Sequence, residues 1–329
     1  MTSLTEKPPR YAATGQSRGP EPTKSKFMAS QSMRDNLLAY AFSAPAILSI
    51  VLVLFYPITR LFIASFYSPP TFTRSSEFIG WKNYVEVLTD PIFPSVLFNT
   101  LTWTFGVTVG QVIIGMYFAL LLHQKFPGRW LVRSLVIIPW VLPGIVVAVT
   151  WRFMYSEDFG LINIALKSSG LGQLAHSWLG DKQTAMAAVI IVGIWKGFAF
   201  YTLMFLAGMQ TIPKDLYEAA KIDGANGRQQ LFGITLPLLK PIIITSTVLG
   251  LIWTSNFFDA IFVMTGGGPA RSTETMPMFI YNTGFSFYRI EKAMAGSNIL
   301  MVIVLLLLAM YLIILRAMKK RSPTIEGEA

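Results

Sequence analysis

The sequence predicts an all-α integral membrane protein of six transmembrane helices with both termini in the cytoplasm. Three observations carry this. More than half of the 329 residues are hydrophobic while 13% are charged, a membrane composition. The apolar residues fall in blocks long enough to span the hydrocarbon core, which takes about 20 residues as a helix. The basic residues alternate in density from loop to loop, as the positive-inside rule requires.

In order along the chain, residues 1–35 are rich in Pro, Ser, Thr, Gly and Lys. They hold too few large apolar side chains to form a core, so they are predicted to be a disordered cytoplasmic tail. The apolar blocks follow at roughly 37–58, 96–122, 131–151, 184–209, 241–264 and 295–317. The first is too long for a signal-peptide h-region and lacks a suitably placed small-x-small site after it, so it is expected to stay as a span. Lys7, Arg10, Arg18, Lys24, Lys26 and Arg34 precede the first block; Lys125, Arg129 and Arg133 lie between the second and third. Lys214, Lys221, Arg228 and Lys240 fall between the fourth and fifth, and Arg316, Lys319, Lys320 and Arg321 close the chain. The alternate loops mix Arg74, Lys82, Lys167, Lys182, Arg271, Arg289 and Lys292 with carboxylates such as Glu77, Asp90, Glu157, Asp181 and Glu274. The formal charge of +10 is therefore a topology signal, no nucleic-acid partner is expected, and 321–329 is assigned as a cytoplasmic C-terminal tail. Cysteine is absent and only His123 and His176 occur, so disulfides are excluded and no metal site is expected.

Three blocks carry residues a plain lipid-facing helix does not need. The third contains Pro139-Trp140-Val-Leu-Pro143-Gly144, whose prolines free carbonyls that only protein or a cavity can satisfy. The fourth places Gly193, Lys196, Gly197 and Phe200 on one helical face. A packing groove would explain the glycines. Lys196 near mid-span costs about 2.5–3.5 kcal/mol unpaired and points to an aqueous path or to a partner that locks the helix. In the fifth, Gly250, Thr254 and Phe257 share a face with Trp253 beside them. A hydroxyl, aromatic planes and glycine gaps suit a sugar. On continuous helical spacing Asp259 projects about 180° from Gly250 and away from this path; a pair with Lys196 would need a long reach.

Between the fourth and fifth blocks lies a polar stretch, Glu218 to Pro237, with two short helices expected around Gly224-Ala-Asn-Gly227. Asp215 and Glu218 have capping-box spacing, Gly224 and Gly227 permit a sharp turn, and Leu236-Pro237 should stop the second helix. An amphipathic loop lying on headgroups would account for it equally well.

Glu218-Ala219-Ala220, three residues, Gly224, nine residues, then Ile234-x-Leu236-Pro237 resembles the full EAA motif of the permease subunits of binding-protein-dependent ABC importers. The resemblance spans about 36–320. It is nearest to the carbohydrate branch of the maltose and glycerol-3-phosphate permeases, through Ile212-Pro-x-x-Leu-Tyr-Glu-Ala-Ala220, Asp223-Gly-Ala225, Thr235-Leu-Pro-Leu and Thr265-Gly-Gly-Gly-Pro269. It lacks the extra N-terminal helices and large periplasmic insertion of the larger maltose permease. The resemblance implies a type I ABC importer permease fold over 36–320, multi-pass in the bacterial cytoplasmic (inner) membrane. It implies that 210–240 is the coupling loop that docks on the ATPase, with Glu218 as a charged contact, Ala219 and Ala220 allowing close approach and Gly224 turning the chain. It implies a second permease subunit, two ABC ATPases, an extracytoplasmic solute-binding protein and a sugar held at positions matching Trp140, Gly144, Gly193, Lys196, Gly197, Phe200, Gly250, Thr254 and Phe257.

The chain has no G-x4-G-K-[ST] phosphate loop. ATP and Mg therefore belong to the partner ATPases, and no enzyme activity or cofactor is expected in this chain. A self-contained ion-coupled transporter is the alternative; it would be expected to show several intramembrane carboxylates and an internal repeat. Only Asp259 stands inside a predicted span, and no repeat is visible. A membrane enzyme would need a metal cluster or a nucleophile–base arrangement, and the sequence offers neither.

Overall fold

The structure, a computed structural model, describes residues 40–70 and 75–321. The predicted tails lie outside these residues, apart from Arg321, which ends the last helix. Among the described residues five helices are long and apolar enough to cross a membrane, and a sharply bent pair brings the number to six when it is counted as one span. In order they are α1 (Tyr40–Ala64), α2 (Lys82–Leu88), α3 (Phe93–His123), α4 (Arg129–Val141), α5 (Gly144–Met154), α6 (Leu161–Ser168) and α7 (Ala185–Gln210). There follow α8 (Lys214–Ile222), α9 (Gly227–Ser255), α10 (Asp259–Met264), α11 (Met276–Tyr281) and α12 (Ile290–Arg321).

Prolines explain where the helices depart from the sequence-based expectation. The third span is two helices, α4 and α5, bent by 97°. Pro143 cannot donate a helical hydrogen bond and forces Leu142 into extended backbone. At two other prolines the helix adapts instead. Each of the π-turns Val51–Phe55 and Leu231–Thr235 is followed two residues on by a proline, Pro57 or Pro237. The wider i→i+5 turn, as in Leu236 N–H to Leu231 O, accommodates a residue that lacks a donor and would clash with the i−4 carbonyl. Pro237 therefore does not stop a helix. The fifth span runs from Gly227 to Ser255 rather than over 241–264, and a break at 256–258 separates it from α10.

α3 and α7 pack along their length as a reciprocal seam. Gly106 and Gly110 on α3 leave room for Ile190 and Ile194, while Gly193 on α7 receives Val107 and Trp103. Small residues are what allow membrane helices to approach this closely, since lipid tails supply no hydrophobic drive between them. One buried cluster joins this seam to α5, α10 and α11 through Trp103, Val107, Val147, Val192, Ile261 and Met278. A second joins its other end to α9 through Leu122, Phe205, Leu206, Met209 and Leu239. A third ties α2 and α11 to α12 through Val87, Met276, Phe279 and Leu300. There Asn298 Nδ2 donates to Tyr84 Oη at 2.9 Å and Lys292 Nζ pairs with Asp90 at 2.8 Å.

Candidate functional site

The break in the third span leaves the Leu142 carbonyl without a helical donor. Lys196 Nζ, from the middle of α7, donates to it at 2.8 Å. At the end of α9, Thr254 O accepts from the Phe257 N–H at 3.1 Å, and Trp103 Nε1, from α3, donates to it as well at 2.9 Å. Side chains of unbroken helices thus reach both helix ends, and at Leu142 the lysine supplies the donor that a membrane interior demands. The ammonium also lies at the C-terminal, partly negative end of α4. Asp259 sits at the opposite side of the same break, its Oδ2 2.8 Å from where a Cβ on Gly144 would stand. A carboxylate at the first residue of α5 complements the positive helix end. Asp259 opens α10 rather than continuing the fifth span, so the continuous-helix count used to orient it does not apply. It attracts Lys196 electrostatically, yet among the described residues no ion pair joins them.

Between these breaks and the α3–α7 seam is a cavity of about 220 Å³ lined by Trp103, Val107, Gln111, Trp140, Gly193, Lys196, Gly197, Phe200, Tyr201, Gly250, Trp253, Thr254 and Phe257. Of the residues singled out in the sequence, Trp140, Gly193, Lys196, Gly197, Phe200, Gly250, Trp253, Thr254 and Phe257 meet here. Gly144 does not line it and faces Asp259. The walls are aromatic: Phe200 lies edge-on to Trp253 at 5.1 Å, and Trp103 stacks with Phe257 at 6.3 Å. Trp140 and Trp253 are 46% and 56% exposed, so one side of the cavity is open.

The glycines do not leave empty space. A Cβ on Gly197 would strike the Gln111 amide, and one on Gly250 would strike the Tyr201 hydroxyl. Trp103, Val107 and Gln111 were not found from the sequence, because α3 is apolar on all sides and shows no polar face; Tyr201, on α7, is one aromatic residue among many in an apolar helix. The one available signal was Gln111 itself, a large amide near the middle of a 31-residue apolar helix.

The polar hairpin lies at the other end of α7. α8 begins at Lys214 after Pro213, two residues earlier than Asp215 would allow as N-cap, so the expected Asp215–Glu218 capping box is not formed. Glu218 and Ala219 are exposed and Ala220 half-buried. α8 ends in a Schellman closure, with Ala225 N–H to Ala220 O at 2.8 Å and Gly224 N–H to Lys221 O at 3.0 Å. Gly224 takes φ +81° there, with nothing near its missing Cβ. A capping box does form one turn later, between Asn226 and Gln229. Ile234 and Leu236 are half-buried and Pro237 exposed along α9, while Tyr217 Oη and Thr235 Oγ1 tie α8 to α9 at 2.9 Å. Ile222 and Phe232 remain 87% and 66% exposed.

A multi-pass helical protein with an aromatic-walled cavity beside two helix breaks, and an exposed polar hairpin between spans, fits the permease class of membrane transport proteins. The chain belongs to the family of binding-protein-dependent transport system inner membrane components, whose model matches residues 111–321. It is 35% identical over 283 residues to the trehalose/maltose transport system permease protein MalF of Thermococcus litoralis, covering 86% of this chain and 94% of that protein. It is 36% identical over 283 residues to the sulfoquinovosyl glycerol transport system permease protein SmoG of Agrobacterium fabrum, covering 86% and 91%. A chain in the crystal structure of a bacterial alginate ABC transporter, in complex with alginate pentasaccharide-bound periplasmic protein, shares the fold with a TM-score of 0.75. Identity is 23%, over 85% of this chain and 94% of that one. The protein is a carbohydrate ABC permease, and ATP hydrolysis resides in a separate subunit. Membership favours this reading over a self-contained ion-coupled transporter.

Proposed function

We propose that this chain moves a sugar or sugar derivative from an extracytoplasmic binding protein into the cytoplasm by alternating access, as one of two permease subunits above two ATPases that bind ATP and Mg. The observation that carries the reading is the aromatic-walled cavity holding an ammonium, an amide and hydroxyls where two spans are broken. Broken helices around a midplane site recur in transporters, because the irregular backbone is tolerated where it lines a cavity. Aromatic planes suit the C–H faces of a sugar and the polar atoms suit its hydroxyls. The volume falls below the roughly 300–1,000 Å³ of complete ligand sites, which fits a half-site closed by the second permease.

The exposed hairpin, with Glu218, Ile222 and Phe232 outward, supports docking of the ATPase there. Its basic flanks support a cytoplasmic location, N-in and C-in, in the bacterial inner membrane. The test is reconstitution with the neighbouring permease, ATPase and binding protein. Sugar uptake should require ATP and the binding protein. Gly224→Val should insert normally but lose ATPase association, because a β-branched residue is strained at this positive φ. ATP-independent uptake driven by a proton or sodium gradient would overturn the reading.

A further inference from the structure

Gln111 is the chemically distinctive group of the cavity. It is 8% exposed and its Nε2 donates to Gly193 O at 2.9 Å. Because a backbone carbonyl can only accept, this bond fixes which end of the amide is which. The Oε1 accepts from no described residue, and it is not among the buried polar atoms left without a partner. It therefore opens onto the cavity that Gln111 lines. Gly197 is what admits the amide between α3 and α7, since any side chain there would displace it.

The other lining side chains supply donors or ambivalent groups. Lys196 and the three tryptophans only donate, and the hydroxyls of Thr254 and Tyr201 can do either. The Tyr201 and Thr108 hydroxyls lie near each other, but neither completes a hydrogen bond of ordinary geometry. Gln111 Oε1 is thus the one side-chain atom of the cavity that can only accept.

We infer that Gln111 is a specificity-determining residue, whose locked carbonyl accepts the proton of one substrate hydroxyl. It selects sugars that present a free O–H at that position over analogues that present hydrogen, fluorine or an ether there. The inference rests on the sugar-import reading above. A site built around a hydrogen bond rejects the analogue that cannot make it far more strongly than it rejects a change of size.

The experiment uses the reconstituted complex with trehalose, maltose and their single deoxy and deoxyfluoro analogues as competitors for uptake. Fluorine keeps the acceptor and deletes the donor, so it isolates the interaction assigned to Gln111. In the wild type, one fluoro position should compete about 10- to 100-fold less well than its parent, the range expected when a buried acceptor is left unpaired. Gln111→Met should bring that ratio close to one while other positions keep theirs. If Gln111→Met does not assemble, Gln111→Asn, which withdraws the carbonyl by one methylene, should narrow the same ratio. An effect that lowers all compounds equally would show a purely structural residue and overturn the inference. So would a fluoro ratio unchanged in the variant. Absence of ATP- and binding-protein-dependent uptake of any sugar by the wild-type complex would overturn the sugar reading itself, and the inference with it.

Discussion

The α3–α7 pair and the two broken spans are made of similar residues and behave oppositely. α3 and α7 run unbroken for 31 and 26 residues, close on each other through glycines, and bury their polar groups in the seam. The third span is bent between α4 and α5 and leaves the Leu142 carbonyl to a side-chain donor, while α9 ends at Ser255 with Thr254 O already accepting from the Phe257 N–H. What the contrast teaches is that the continuous pair is both scaffold and supplier: Lys196 and Trp103 reach out of it to the ends of the helices that stop. The cavity lies where that supply is delivered.

Removing a supplier should have the largest effect. Lys196→Met retains length but frees the Leu142 carbonyl and discharges the cavity wall. Uptake is expected to fall by roughly 10- to 150-fold, the equivalent of about 1.5–3 kcal/mol for a charge-assisted hydrogen bond. The chain holds no cysteine, so a spin-label pair placed on α4 and α5 can read the bend directly. The distance distribution should broaden in the variant. Wild-type uptake with an unchanged distribution would remove Lys196 from both roles.

Next come the glycines, which separate the two regions. Gly197→Ala overpacks the seam against the Gln111 amide and is expected to cost about 1–3 kcal/mol, seen as a lower midpoint in thermal unfolding in detergent. Gly144→Ala meets only the Asp259 carboxylate, which can swing aside, and should cost less than half as much. Equal losses would mean that the broken span is as tightly packed as the pair. Trp103→Phe keeps the ring and deletes the donor to Thr254 O; about 1 kcal/mol of stability should go, measured the same way.

The smallest effect belongs to the Asp90–Lys292 pair, outside both regions. Partial burial pushes the Asp90 carboxyl up, but the Lys292 hydrogen bond, the Ile92 amide and the charges of Lys292 and Arg271 together hold it below its ordinary value. A depressed carboxyl contributes stability above its unfolded value of about 3.8, and that contribution is lost as pH falls through the folded value. Asp90→Asn should therefore lower stability by no more than about 1 kcal/mol at neutral pH and by nothing at strongly acidic pH. A loss that persists unchanged in acid would contradict this.

Much of this was legible in the sequence, for identifiable reasons. Long apolar blocks showed the spans, and Gly224 showed the hairpin turn, because a positive-φ position needs a residue without a Cβ. The limits of the fifth span were not legible: a π-turn let Pro237 enter the helix, and the stop at 256–258 carries neither Gly nor Pro to announce it. Helical spacing leaves Gly193 and Gly197 open to either a packing groove or a sugar path, and suggests a sugar gap at Gly250; in the structure their space is taken by Trp103, Gln111 and Tyr201. Which side chain fills a gap depends on the neighbouring helix, and helical spacing along one segment carries no record of it.

The π-turn in α9 has a mechanical consequence. Because it carries the helix past Pro237, the second arm of the hairpin and the cavity wall belong to one rod. From Gly227 to Trp253 that rod measures about 40 Å at 1.5 Å rise per residue. A tilt of about 5° imposed at the hairpin end displaces Trp253 by roughly 3 Å on that length, about the reach of one hydrogen bond. The helix is a lever, and its length converts a small rotation at the exposed hairpin into the making or breaking of a contact at the cavity.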